Sequence, residues 1–397
     1  GVLLQRHGPA LLVARRAYAP APYTTRMLTI QPTSGFNGTV LVEWLNTSTG
    51  RDLPGQWLQL HQSILREGDA WVGVSAQPES VTSLVGWDPV RYSSLRYGGY
   101  PYMFDIYSQA IQAVRSPVGV SPLGELAVER VIATGVSQSA VRLDEYLDWG
   151  PEAEADVIDG YLIERNVDTK TSYPGDHPPV INIATEESAS PVPSTSGPNW
   201  RLWQVAGGAH IDHWFGSFWR AQLRKNETTH APPAAGAEVA IDDDAGAYGQ
   251  RPDPLGPVCG YNGNRYPSRY VSRLGLHQLH RWVRDGVPAL VAPPLQFLAP
   301  IGPMGTTIAR DAVGNAKGGL RSPVVDVPVV THIGNTCGLS GQTLELLPGT
   351  LAARYPTKQH YLDQLRTSVD ATVAAGWLLP ADGADLMARA ASTQVPR

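Results

Sequence analysis

The chain has 397 residues, of which 42% are hydrophobic and 17% charged, a composition typical of a folded globular protein. Its formal net charge of −5 gives no reason to expect a nucleic-acid partner, and the absence of any apolar run of about 18 residues argues against a membrane span. A chain of this length indicates an elaborated single domain, or a core that carries a large cap.

Seven short apolar runs predict the strands of a central sheet. They lie at 23–30, 39–46, 70–75, 131–133, 157–163, 180–185 and 200–205. Helical patterns alternate with them, which predicts a mostly parallel sheet with helices on both faces. The segment 77–101, polar and aromatic, is predicted to be a long loop. The strongest amphipathic pattern, at 269–284, predicts a helix that ends at Gly286.

The pattern changes beyond His210, and proline- and glycine-rich segments with short β runs follow the helical pattern at 269–284, to about Gly334. We therefore expect residues 1–255 to form the core that carries the chemistry. Residues 256–397 would add helices and a β-extension, either as part of the same domain or as a cap. Cys259 and Cys337 are too few for a disulfide scaffold, and pairing and free thiols both remain open. Gly1 in place of Met is compatible with removal of an upstream signal peptide.

A sharp turn carries the first candidate for chemistry, Ser137. It lies in Gly135-Val136-Ser137-Gln138-Ser139, between an apolar run and a helical pattern. A serine on a tight strand-to-helix turn is a nucleophile elbow, whose usual pattern is G-x-S-x-G. Ser139 replaces the last glycine, and it is small enough for a turn at which strand and helix nearly collide.

A serine nucleophile needs a base and an acid, because its hydroxyl reacts poorly at neutral pH. His210 follows the last predicted strand through Gly207-Gly208, which we expect to form a flexible loop. The order serine, acid, histidine places the acid between them. Glu186 is the first choice, Glu187 the second and Glu164 the third, since each follows a predicted strand. The carboxyl ends of parallel strands form the ligand edge of such a sheet, so these groups are expected there together.

The oxyanion of a serine hydrolase needs two N–H donors. We expect them from the backbones of Gln138, at the start of its helix, and Thr47, after the second predicted strand. Three aromatic residues, Trp44, Trp214 and Phe215, are candidates for a substrate pocket, with core packing as the alternative for each.

No cofactor or metal is expected. The sequence contains no G-x-G-x-x-G, P-loop, HExxH or CxxC motif. The segment His210-Ile211-Asp212-His213 is at most a chance metal pair.

Several long stretches resemble the bacterial α/β-hydrolase-domain family that carries a G-x-SQS elbow. They include FNGTVLVEWLN, ATGVSQSAVRL, VAGGAH and RDAVGNAKGGLRSPVVDVPV. The resemblance implies an α/β-hydrolase fold, with Ser137 as nucleophile and His210 as base. The family's acid loop reads roughly T-E-T-D, whereas here Ser188 follows Glu186 and Glu187. The fold also resembles that of glucuronoyl esterases, in which an arginine stands where this chain has Gln138.

The expected function is a serine esterase that acts on a small or medium-sized ester through an acyl-enzyme and a Ser-His-Glu triad. An amidase, lactonase or acyltransferase with the same triad, a carbohydrate esterase, and a catalytically silent binding protein remain alternatives. The resemblance implies a soluble bacterial protein, cytoplasmic or exported. The sequence leaves its oligomeric state open.

Overall fold

The computed structural model describes residues 2–3, 16–17, 19–149, 155–166, 170, 172–173, 176–217, 263–299 and 307–393. The chain divides into two compact units. The first comprises Gly1–Asn182, Gly197–Trp200 and Gln278–Ala289, and the second Ile183–Ser196, Arg201–His277 and Leu290–Arg397. Both units are discontinuous in sequence. The expected boundary at 255/256 lies outside the described residues, so that division stays a prediction.

The elements are numbered in chain order. The strands are β1 (Val2–Leu3), β2 (Arg16–Ala17), β3 (Met27–Ile30), β4 (Thr39–Trp44), β5 (Ala70–Val74), β6 (Arg130–Val136), β7 (Gly160–Glu164), β8 (Val180–Ala184), β9 (Trp200–Gln204), β10 (Phe297–Leu298), β11 (Thr307–Ile308), β12 (Val330–Ile333) and β13 (Gln342–Glu345). The helices are α1 (Gly55–Glu67), α2 (Pro78–Trp87), α3 (Pro89–Tyr92), α4 (Met103–Arg115), α5 (Gln138–Trp149), α6 (Arg269–Asp285), α7 (Pro323–Asp326), α8 (Pro348–Arg354), α9 (Lys358–Ala374) and α10 (Pro380–Ser392).

A seven-stranded sheet has the order β3-β5-β4-β6-β7-β8-β9. β4 runs parallel to β5 and β6, β6 runs parallel to β7, and β3 is antiparallel at the edge. Every residue of β4, β5 and β7 is buried, which explains their continuous apolar sequences. The predicted fold class, a mostly parallel sheet with flanking helices, is confirmed.

The segment predicted as a long polar loop contains the helices α2 and α3. Pro78 begins α2, where its missing N–H costs nothing, and Val81 and Leu84 are buried. The Asp88 side chain accepts the Arg91 N–H at the start of α3. Packing of two apolar side chains therefore outweighs the polar composition that predicted a loop.

Helix α1 is held at both ends by residues of the first unit. The buried carboxyl group of Glu43 in β4 accepts the N–H groups of Gln56 and Trp57 at 2.8 and 2.9 Å. At the other end Gly68 has φ +80°, and a Cβ there would lie 2.4 Å from the carbonyl oxygen of Gly35. These constraints fix the side chain of Gln56, which reaches the strand before Ser137.

The second unit contains the hairpin of β12 and β13 and the contacting helices α9 and α10. Two of its arginines are buried with partners. Arg273 Nη1 lies 2.8 Å from Asp382 Oδ1, and the Arg269 guanidinium lies 4.4 Å from the ring centre of Trp214. Cys337 is disulfide-bonded, whereas Cys259 lies outside the described residues. Among the described helices, none is long and apolar enough to span a membrane.

Candidate active site

Ser137 stands between β6 and α5 with a backbone φ of +60°. This left-handed conformation is uncommon for a residue other than glycine and costs about 1–3 kcal/mol, so the surrounding structure has to enforce it. Val136 is paired with Glu164 of β7, and the Ser137 N–H donates to the carbonyl of Glu164 at 3.0 Å. The Ser137 carbonyl then accepts the first helical bond, from the Val141 N–H at 3.1 Å. The serine thus has the local conformation of a nucleophile elbow.

The close approach of strand and helix explains both small residues of the motif. A Cβ on Gly135 would lie 2.9 Å from backbone atoms of Ser139 and 3.1 Å from Leu143 Cδ1. Ser139 fits in place of the usual glycine because its hydroxyl has partners in the turn. Its Oγ accepts the Val136 N–H and donates to the Val136 carbonyl, both at 3.0 Å.

Two side-chain amides hold the carbonyls before the serine. Gln56 Nε2 donates to the Gly135 carbonyl at 3.1 Å, and Asn46 Nδ2 donates to the Val136 carbonyl at 2.8 Å. Neither Asn46 nor Gln56 is among the candidate residues named from the sequence. No motif indicates either residue, because a single amide in a helix or loop has no diagnostic spacing.

A closed ring of hydrogen bonds lies beside the elbow in the first unit. The Thr47 N–H donates to Gln138 Oε1 at 3.2 Å, and Gln138 Nε2 donates to Gln77 Oε1 at 2.8 Å. Gln77 Nε2 closes the ring on Thr47 Oγ1 at 2.6 Å. The expected oxyanion donor, the backbone N–H of Thr47, is therefore engaged by a side chain in this structure. Gln138 begins α5, so its own N–H has no partner within the helix.

In the second unit, His210 pairs with Glu187. Nδ1 of the imidazole lies 3.1 Å from Glu187 Oε1, and the same oxygen accepts the hydroxyl of Thr185 at 2.6 Å. His210 is only 3% exposed. A carboxylate beside Nδ1 favours the tautomer that carries its proton on Nδ1.

The first-choice acid, Glu186, has other partners. Its carboxylate forms a bidentate ion pair with Arg310, at 3.1 and 2.7 Å, and accepts the N–H groups of Gly207 and Gly334 at 2.7 and 2.9 Å. Both of its oxygens are used by these bonds. The expectation of a hydrogen bond between Glu186 and His210 is therefore corrected: Glu187, the second choice, makes it.

The segment before His210 is a tight turn instead of the expected flexible loop. Gly207 has φ +84°, and its N–H is held by Glu186. A Cβ on Gly208 would lie 3.0 Å from Thr185 Cγ2, and the Gly208 carbonyl accepts the Glu186 N–H at 3.0 Å. The glycines are needed because the turn leaves no room for side chains, and the turn positions the imidazole.

Glu164, the third-choice acid, ends β7 in the first unit and is completely buried. Its structural contribution is the backbone carbonyl that accepts the Ser137 N–H. The pKa of another buried carboxyl, that of Glu43, is raised to about 8, mainly by burial and also by the charge of Glu164.

The three aromatic candidates for a substrate pocket are buried. Trp44, Trp214 and Phe215 have exposed fractions of 0%, 5% and 3%. Trp44 packs against Tyr107 with ring centres 4.6 Å apart, and its indole N–H donates to Gln77 Oε1 at 2.9 Å. Such burial favours the alternative reading, core packing, for all three.

The described part of the chain contains no group of three metal-ligating side chains. In the segment that offered a chance metal pair, the Asp212 side chain accepts the Phe215 N–H at 2.8 Å. The neighbouring His213 Nε2 lies 3.4 Å from Ser217 Oγ.

A mostly parallel seven-stranded sheet with a positive-φ serine between a central strand and the following helix defines the α/β-hydrolase fold. The sequence matches the alpha/beta hydrolase domain family over residues 7–388, and the chain belongs to that family. Among curated proteins, none matches this sequence significantly.

Three solved structures illustrate the distant similarity. A carboxylesterase from Lactobacillus plantarum is 9% identical with a TM-score of 0.28, over 42% of this chain and 72% of that one. An alpha-beta serine hydrolase homologue from Coxiella burnetii is 11% identical with a TM-score of 0.32, over 53% and 100%. A poly(3-hydroxybutyrate) depolymerase from Bordetella parapertussis is 13% identical with a TM-score of 0.32, over 54% and 87%. Likeness at this level says nothing about the substrate of this chain.

Proposed function

We propose that the protein is a serine hydrolase that cleaves a carboxylic ester through an acyl-enzyme. Ser137 is the nucleophile, His210 the base and Glu187 the acid. The observation that carries the proposal is the left-handed backbone of Ser137 at the turn between β6 and α5. A serine has no reason to bear that strain for packing alone, since glycine would adopt the same conformation freely.

The proposed reaction begins with attack of Ser137 Oγ on the ester carbonyl carbon, while the serine proton passes to His210 Nε2. Glu187 accepts a hydrogen bond from Nδ1–H and stabilises the imidazolium. The Gln138 N–H donates to the oxyanion, and the amino end of α5 adds a favourable dipole. Collapse of the tetrahedral intermediate expels the alcohol, which takes the proton from His210. Water, activated by the same imidazole, then releases the acid and restores Ser137.

A fluorophosphonate probe tests the nucleophile directly. The wild type should form a covalent adduct on the peptide that carries Ser137, and Ser137→Ala should form none. Ester turnover should fall by about 10⁶ in that variant, as in other triads. An unlabelled wild-type protein would indicate a catalytically silent binding protein instead.

Two nearby histidines provide a matched pair for the base. His210→Ala should lower ester turnover about as much as loss of the nucleophile, because the two act as a unit. His213→Ala, three residues further on, should keep most of the activity, since its Nε2 lies 3.4 Å from Ser217 Oγ and the residue has no part in the proposed triad. The reverse ranking would reject His210 as the base.

The leaving group can be assigned by comparing short-chain aryl esters with matched anilides and lactones. The proposal expects the highest kcat/KM with the esters. Preference for anilides or lactones would redefine the enzyme as an amidase or a lactonase. Transfer of the acyl group to an added alcohol in preference to water would make it an acyltransferase.

A further inference from the structure

The side chain of Trp44 determines the direction of each hydrogen bond in the ring that Thr47, Gln138 and Gln77 form beside the elbow. An indole nitrogen can only donate a hydrogen bond, so the Gln77 atom 2.9 Å away has to be its carbonyl oxygen. Gln77 Nε2 then faces Thr47 Oγ1, and the Gln138 atom that faces Gln77 Oε1 has to be Nε2. The remaining oxygen of Gln138 faces the Thr47 N–H. Every donor and acceptor in the ring is thereby assigned.

This assignment decides what Thr47 can offer to a substrate. Its N–H is already used by Gln138, whereas its hydroxyl oxygen accepts the Gln77 amide at 2.6 Å. A hydroxyl that accepts one bond keeps its own proton for donation. Within the described residues, no acceptor is present for that proton. Thr47 is 5% exposed, so its hydroxyl is largely removed from bulk solvent.

Hydrogen bonds of the neighbouring residues also hold Thr47 close to Ser137. The preceding residue, Asn46, donates to the carbonyl of Val136, which precedes Ser137. The residue that follows Ser137, Gln138, contacts Thr47 through its side chain. The hydroxyl is thus held next to the elbow by bonds on both sides of the serine.

We propose that the Thr47 hydroxyl, not the Thr47 backbone N–H, is the second donor to the oxyanion, and that Gln77 is a positioning residue that keeps its proton directed outward. This inference rests on the function proposed above for Ser137. Because the Thr47 oxygen already accepts the Gln77 amide, the hydroxyl cannot direct its own proton toward Gln77. The proton is therefore preorganised to stabilise a negative charge.

Two substitutions of Thr47 separate hydroxyl from backbone, because both keep the N–H. Thr47→Val removes the hydroxyl at nearly constant shape and should lower kcat by about 10²–10³ with little change in KM. Thr47→Ser keeps the hydroxyl and should stay within about tenfold of the wild type. Thr39→Val is the matched control. Thr39 is another buried threonine that accepts a side-chain N–H, from Arg130 at 3.2 Å, but at the opposite end of β4.

Gln77→Glu tests the positioning role. The substitution replaces a donor amide by an acceptor, so the Thr47 hydroxyl would turn its proton toward position 77. We expect kcat to fall by about 10² or more. The double variant Gln77→Glu with Thr47→Val should be little worse than Thr47→Val alone, because both changes remove the same proton from the reaction.

The outcomes distinguish this inference from the function on which it rests. If the wild type reacts with the fluorophosphonate and Thr47→Val keeps wild-type kcat, the hydroxyl is not a donor and only this inference is overturned. Additive losses in the double variant would likewise overturn the positioning role of Gln77. If the wild type does not react with the probe, both proposals are overturned. Unfolding curves of each variant verify that losses in kcat come from folded protein.

Discussion

Nδ1 of His210 lies 3.1 Å from Oε1 of Glu187, while Glu186, the residue before it, is bound to Arg310. Two consecutive carboxylates therefore have separate partners. One contacts an imidazole, and the other joins the turn before that imidazole to the segment that carries Arg310. The contacts predict opposite consequences for substitution of the two residues.

Glu187→Gln should lower ester turnover and leave the fold intact. An amide at this position no longer stabilises the imidazolium and favours the wrong tautomer, which costs about 10⁴ in kcat in a known triad. The free energy of unfolding should change by no more than about 1 kcal/mol, because Glu187 makes only two side-chain hydrogen bonds with the residues that the structure describes. Steady-state kinetics and urea unfolding measure the two quantities.

Glu186→Gln is the matched variant and should mainly lower stability. It removes the negative charge from a buried ion pair with Arg310, a loss on the order of 3 kcal/mol when one partner is removed. Turnover per folded molecule should fall less than in Glu187→Gln. A larger catalytic loss in Glu186→Gln, with unchanged stability, would reassign the acid to Glu186.

The strain at Ser137 should be measurable by comparing two inactive variants. Ser137→Gly removes the cost of the left-handed backbone, whereas Ser137→Ala keeps it. The glycine variant should be about 1 kcal/mol more stable than the alanine variant, because strain relief outweighs the extra entropy of an unfolded glycine. Equal unfolding free energies would indicate that the turn is unstrained.

Gly135→Ala should destabilise the protein, because the added Cβ would lie 2.9 Å from the backbone of Ser139. Overpacking of this kind costs about 1–3 kcal/mol. Gly86→Ala, in helix α2, is the control, since a Cβ there meets nothing within 4 Å. It should stabilise the helix by about 0.5–1 kcal/mol. Thermal unfolding of the two variants should shift in opposite directions, and a shift in the same direction would contradict the tight turn.

Glu43 should make stability fall as the pH rises. Burial raises the pKa of its carboxyl from 4.5 to about 8, although three N–H donors act in the opposite direction. Between these values the folded state holds a proton that the unfolded state has released, so the free energy of unfolding decreases with pH. In Glu43→Gln this contribution disappears. The stability difference between wild type and variant should therefore change between pH 4.5 and about 8 and become constant outside that window.

Much of the fold could be predicted because local pattern and burial coincide. The apolar runs at 39–46 and 70–75 became the buried strands β4 and β5, and the pattern at 269–284 became α6. The prediction failed at α2, where only Val81 and Leu84 mark the buried face. Ser137 and His210 remain predictions as catalytic residues, now with a strained backbone and a carboxylate partner that the sequence could not show.

The sequence by itself determined the fold class and the elbow, because periodicity, glycine positions and the small residue at 139 are local properties of the chain. Only the tertiary structure decided which of Glu186 and Glu187 contacts His210. Two neighbouring glutamates at the end of a strand carry no sequence signal that distinguishes them, and their partners, Arg310 among them, come from distant segments. The same holds for Thr47. Its N–H donates to Gln138, and its hydroxyl oxygen accepts a hydrogen bond from Gln77. Hydrogen-bond partners depend on which side chains the folded backbone brings within about 3 Å, and no local pattern encodes that distance.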